Sequence, residues 1–103
     1  MGLFKERKKK RTLYFNKTKH WIKEEEGEDT FYTEVNDNKI MESIIYFSKN
    51  LDFEIIEVYL DDNCWNGRRN ITVKATKQNF LTFVAEFILK FEKDIEDVNF
   101  TLE

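Results

Sequence analysis

The dipeptide Asn66-Gly67 stands between two strand-like runs, FEIIEVYLDDNCW and RRNITVKAT. Both residues accept the positive φ of a type I′ turn, and no short signal favours a β-hairpin more strongly. A two-residue loop there sets Trp65 opposite Arg68, Leu60 opposite Val73 and Val58 opposite Ala75. These apolar pairs share one face. Tyr59, Asp61, Trp65, Arg68, Thr72 and Lys74 share the other. An antiparallel sheet with one apolar and one polar face needs cover on one side only.

Two segments have the period to provide that cover. In NDNKIMESIIYFSKNLD (36–52), Ile40, Ile44, Phe47 and Leu51 recur at helical spacing, with Met41 and Ile45 widening the stripe and Asn36 or Asp37 placed to cap it. In residues 76–97, Phe80, Val84, Phe87, Ile88, Phe91 and Ile95 form a second stripe behind a capping Thr76. Tyr46 and Leu89 lie off these stripes. RTLYFNKTKHWIK and TFYTEV, separated by EEEGED (24–29), read as a first hairpin, and VNFTLE as a closing strand.

The expected order is ββαββαβ: an α+β domain with two helices on an antiparallel sheet. Without the first strand this is βαββαβ, a ferredoxin-like (split βαβ) core carrying an extra N-terminal strand. A chain of 103 residues makes one such domain, expected over 12–103, with residues 1–11 as an exposed basic arm. The hydrophobic fraction of 41% supplies a core, and a net charge of −3 is far from the excess of a disordered chain.

That net charge conceals a division. Residues 1–23 hold nine Lys or Arg and one acid, giving +8, whereas residues 24–103 hold eight basic and nineteen acidic residues, giving −11. Six of the first nine cations crowd into KERKKKR (5–11). A basic head on an acidic body points to an interaction arm. Lys5, Arg7, Lys8, Lys9, Lys10 and Arg11 would attract phosphates, with Lys17, Lys19 and Trp21 continuing the surface along the first strand. The acidic body repels nucleic acid but suits a basic protein partner. Tyr59, Trp65 and Arg68 are of the types enriched at protein interfaces, and they form a second candidate contact.

Catalytic and metal signatures are missing. The one cysteine and one histidine, Cys64 and His20, fall in different hairpins, and Asp61 and Asp62 disfavour a Cys64 thiolate. They cannot supply a structural zinc tetrad. DDNCWNG fails as a calcium loop because Trp65 occupies a ligand position and Thr72 replaces the closing glutamate. The three glycines form no phosphate loop. RNA-recognition domains use a split-βαβ sheet, but RRNITVKA lacks their two aromatics.

With one cysteine, no secretory signal and no bilayer-length apolar run, the expected compartment is the cytoplasm. The arm alone makes no stable membrane anchor. Absent proline and abundant Lys, Asn, Ile and Phe fit an AT-rich genome, such as a bacterial mobile element. The expectation is a non-enzymatic interaction protein without a cofactor, whose basic segment contacts nucleic acid or a nucleoprotein. The alternative is an inhibitor or immunity-type protein that binds a protein through its acidic surface or central hairpin.

Overall fold

The computed structural model describes residues 7–18, 20–23, 29–32, 37–60 and 68–102, with the backbone alone at 20–23, 29–32 and 68. The elements are β1 (Lys9–Lys17), β2 (His20–Lys23), β3 (Asp29–Tyr32), α1 (Asp37–Asn50), β4 (Glu54–Tyr59), β5 (Arg68–Ala75), α2 (Lys77–Lys90) and β6 (Ile95–Thr101). A four-stranded sheet runs β4-β5-β1-β6 with every neighbouring pair antiparallel, and β2 and β3 form a sheet of their own. The α+β class is as expected, with two helices and a four-stranded antiparallel sheet.

The place of the first strand is not as expected. Residues 11–23 read as one strand belonging to an N-terminal hairpin, but the chain divides them between β1 and β2. β1 lies inside the main sheet, paired with β5 on one side and β6 on the other. Its burial explains why. Leu13 and Phe15 are fully buried and alternate with half-buried Thr12, Tyr14 and Asn16, which is the pattern of a central strand with one covered face. The insertion is instead the β2–β3 hairpin, whose register runs from His20 opposite Tyr32 to Lys23 opposite Asp29. Its expected turn, EEEGED, lies outside the described residues except for Asp29.

The expected arm also ends early. Lys9, Lys10 and Arg11 belong to β1, opposite Ala75, Lys74 and Val73. Arg11 is only 4% exposed and its Nε donates to the Ala75 carbonyl at 3.0 Å. A strand ladder satisfies backbone groups that a free arm leaves to water, so the central sheet extends into the basic run.

The β4–β5 hairpin keeps its expected faces but not its register. Ile55 pairs with Val73, Val58 with Ile71 and Tyr59 with Asn70, a slip of four residues at Val58 from the pairing that Asn66-Gly67 implies. The implied register sets Asp62 opposite Ile71, on the buried face, whereas the observed one puts Val58 there. Burying an unpaired carboxylate costs several kcal/mol, so core packing overrides the turn preference. A four-residue slip preserves the side-chain alternation. A bulge between Ile55 and Glu57 lets Ile55 and Val58 both face the helices, with Ile56 as the extra residue. The Asn66-Gly67 turn lies outside the described residues.

α1 buries Ile40, Ile44 and Phe47 as its stripe requires. α2 buries Phe80, Phe83, Val84 and Phe87 and starts at Thr76, whose Oγ1 accepts from the Asn79 amide at 3.2 Å. It ends at Lys90, seven residues short of the expected end. The Asp94 and Ile95 amides both donate to the Phe91 carbonyl, closing a turn that sends Ile95 into β6. Phe91 and Ile95 are buried as expected, though not on a continuous helix. Phenylalanine supplies seven of the fifteen buried apolar residues among those described. Phe83 lies 5.1 Å from Phe53, 5.7 Å from Phe47 and 5.6 Å from Phe87 between ring centroids, joining both helices to the residue that leads into β4. Tilted and edge-on rings at these distances are favourable beyond their burial.

Candidate polyanion contact at one end of the sheet

Antiparallel pairing gives the sheet two chemically different ends. At one end β1 begins, β5 finishes, and α2 starts directly after it. Lys10 lies opposite Lys74, and Lys9 opposite Ala75, one residue before the Thr76 cap of α2 and two before Lys77. Arg7, Lys8, Lys9, Lys10, Lys74 and Lys77 are all exposed. The first turn of α2 carries no acidic residue, so the partial positive charge of the helix start adds to the lysines. Like charges directly opposite on a sheet repel. Lys74 also has Glu54 across its other side, which moderates the repulsion.

Cations of the same N-terminal segment have separate fates. Lys8 Nζ reaches the Asp52 carboxylate at 3.2 Å, between two solvent-accessible side chains, where such a pair contributes little. Arg11, by contrast, is buried and holds a carbonyl. Lys17 is 3% exposed on the helix-covered face and pairs with Asp37, in the first turn of α1. Neither Arg11 nor Lys17 presents a surface to a phosphate, so both leave the expected contact set. An alternating strand sends every second side chain inward, and a long aliphatic stem packs there with its head at a partner.

Lys5 and Lys19 lie outside the described residues. Trp21 belongs to β2, opposite Phe31, in the separate two-stranded sheet rather than to β1. Of the expected protein contact, Tyr59 is 39% exposed on the sheet face away from the helices, and Trp65 lies outside the described residues. The Arg68 backbone opens β5 opposite Asn16 of β1. Cys64 also lies outside the described residues, and His20 opens β2.

Lys74 and Lys77 were not singled out in the sequence. They join the basic segment only because β1 pairs with β5, a contact between residues over sixty positions apart. Their visible signal was weak: a lysine on the polar face of the hairpin, and another at a helix start where an acid is usual.

At the opposite end, where β1 stops and β6 starts, the charges reverse. Glu92, Glu96 and Asp97 are exposed and Asp94 half-buried, with Lys93 among them. Asp97 takes φ of 53° at the bulge facing β1, and its carboxylate accepts from Asn16 Nδ2 at 3.1 Å. The described residues contain no group of three His, Cys, Asp or Glu side chains that would hold a metal ion, and no helix long and apolar enough to cross a membrane. Comparison with protein-family models, curated proteins and solved structures gives no match to this chain.

Proposed function

We propose that this protein is a non-enzymatic interaction module of the cytoplasm that contacts nucleic acid, or a nucleoprotein, through the basic end of its sheet. The observation that carries this reading is the convergence of cations from three chain segments. Arg7 and Lys8 lead into β1 and Lys9 and Lys10 open it, Lys74 comes from the end of β5 and Lys77 from the start of α2. Each would neutralise a phosphate and release its condensed counterions. The fold we propose behind it is the ferredoxin-like split βαβ, with β1, β4, β5 and β6 as core strands and β2–β3 inserted. The strand order β4-β5-β1-β6 supports that assignment.

Phosphate contacts of this kind position a ligand without reading its sequence. The expected behaviour is salt-sensitive binding with little sequence preference. Fluorescence anisotropy with labelled single- and double-stranded oligonucleotides at about 50 mM salt tests it. Lys74→Gln with Lys77→Gln, both outside the N-terminal run, lowers affinity about tenfold if the three segments form one site. Absence of binding to either oligonucleotide rejects the function. Binding that ignores Lys74 and Lys77 rejects the composite site in favour of a simple arm.

A further inference from the structure

We infer that the outer edge of β6 is a self-association site, where a second copy of this chain pairs antiparallel across a two-fold axis at Phe100. β6 closes the four-stranded sheet, with β1 as its strand neighbour among the described residues. Successive amides along a strand point to opposite sides. The Thr12 amide points towards β6, where it donates to Thr101 Oγ1 at 3.3 Å. Phe100, next to Thr101 in the ladder, therefore turns its amide and carbonyl away from β1. That outward amide donates to Asn99 Oδ1 at 2.9 Å, so a side chain covers it where a further strand would bond. An edge of this kind is a template for another strand.

Alternation sorts the two faces of this edge. Phe100 lies opposite the buried Leu13, on the helix-covered face, and is 38% exposed with its ring 6.0 Å from that of Phe80. Val98 and Leu102 share that face and are partly buried against the core. Asn99 and Thr101 are exposed on the open face.

Pairing centred on Phe100 makes residues 98–102 their own complement. Phe100 meets the partner's Phe100, Val98 the partner's Leu102, and Asn99 the partner's Thr101. Apolar groups meet on one face, and an amide meets a hydroxyl on the other. Centring on Val98 instead would set Glu96 against Phe100. Glu96 and Asp97, the latter with its φ of 53°, lie before the paired segment.

Charge also favours a second copy as the occupant. The axis reverses the sheet end for end, so Glu96 and Asp97 of each copy come alongside Lys9 and Lys10 of the other. The separation is about 10 Å, two strand spacings, across which opposite charges attract at low salt. A five-residue strand pair buries less than the roughly 1,200 Å² of a stable complex, so the expected dimer is weak, with Kd on the order of 10–100 μM. None of this depends on nucleic-acid binding.

Sedimentation equilibrium of the whole chain from about 1 μM to 1 mM, without nucleic acid, tests the proposal. Expected is a monomer–dimer equilibrium, with exchange of the Phe100 amide slowing as concentration rises. Asn99→Lys with Thr101→Lys sets like charges opposite one another across the axis and weakens dimerisation at least tenfold. Asn99→Asp with Thr101→Asp does the same, and mixing the two variants restores association as a heterodimer. Both positions are exposed, and thermal unfolding checks that each variant keeps its fold.

A monomer at every concentration, dimerisation that ignores the lysine pair, or folded variants that fail to associate on mixing overturns the proposal. So does concentration-dependent protection confined to β4.

Discussion

Lys10 and Lys17 stand on one strand, seven residues apart, and do opposite things. Lys10 is exposed beside Lys74, in a cluster whose cations repel one another. Lys17 is buried to 3% exposure and satisfied by Asp37 at the start of α1. A basic residue on this strand is exposed to solvent or part of the core according to its parity and its end. The odd-numbered positions from Arg11 to Lys17 point under the helices, and Lys10, Thr12, Tyr14 and Asn16 point to the open face. Counting cations along KERKKKR and NKTK misses this division.

Breaking the buried member should produce the largest effect. Asp37→Asn takes the carboxylate from the buried Lys17 ammonium and should lower unfolding stability by about 2 kcal/mol, less than for a fully buried pair because Asp37 is itself partly exposed. Denaturant titration measures this, and oligonucleotide affinity at fixed folded fraction should not change. Lys17→Met, which removes the charge with its stem retained, should recover most of that loss in the Asp37→Asn background.

The exposed member behaves in the reverse way. Lys9→Gln, Lys10→Gln, Lys74→Gln and Lys77→Gln together should weaken oligonucleotide binding by about two orders of magnitude at low salt. Stability should hold or rise by a few tenths of a kcal/mol as the Lys10–Lys74 repulsion is relieved. Thr76→Ala sits between the two cases. It removes the hydroxyl that caps α2 and should cost about 1 kcal/mol, with a small loss of affinity through the displaced helix start. The smallest effect is expected for Asp52→Asn, which removes the charge while suiting the left-handed φ of 49°. Its partner Lys8 is exposed, so stability should shift by less than about 0.5 kcal/mol.

Local periodicity made much of the fold legible. The stripes Ile40-Ile44-Phe47 and Phe80-Val84-Phe87 give both helices, and alternation places Val58, Ile71 and Val73 on one face of their hairpin. Non-local pairing was not legible. TLYF alternates equally well for an added edge strand and for a central one, and only the completed core shows that Leu13 and Phe15 lie under the helices.

Asn66-Gly67 announces a tight hairpin, yet the β4–β5 register is slipped by four residues at Val58 and bulged at Ile56, which reflects packing rather than turn chemistry. The candidate site was half legible for the same reason. Lys8, Lys9 and Lys10 advertise themselves as a run, whereas Lys74 and Lys77 enter only through the β1–β5 ladder. Nothing local distinguishes Arg11 and Lys17 from their exposed neighbours, because a burial partner sixty or twenty residues away decides their role.

The most direct measurement is the slope of log affinity against log salt for a single-stranded oligonucleotide. It should be made for the native chain, for Lys10→Gln with Lys74→Gln, and for Lys17→Met. Each phosphate contact adds roughly 0.7 to the magnitude of the slope. The Lys10–Lys74 pair should therefore flatten it by about 1.4, and Lys17→Met should leave it unchanged. A slope that is insensitive to the exposed pair, or that falls with Lys17→Met, contradicts the division of labour along β1.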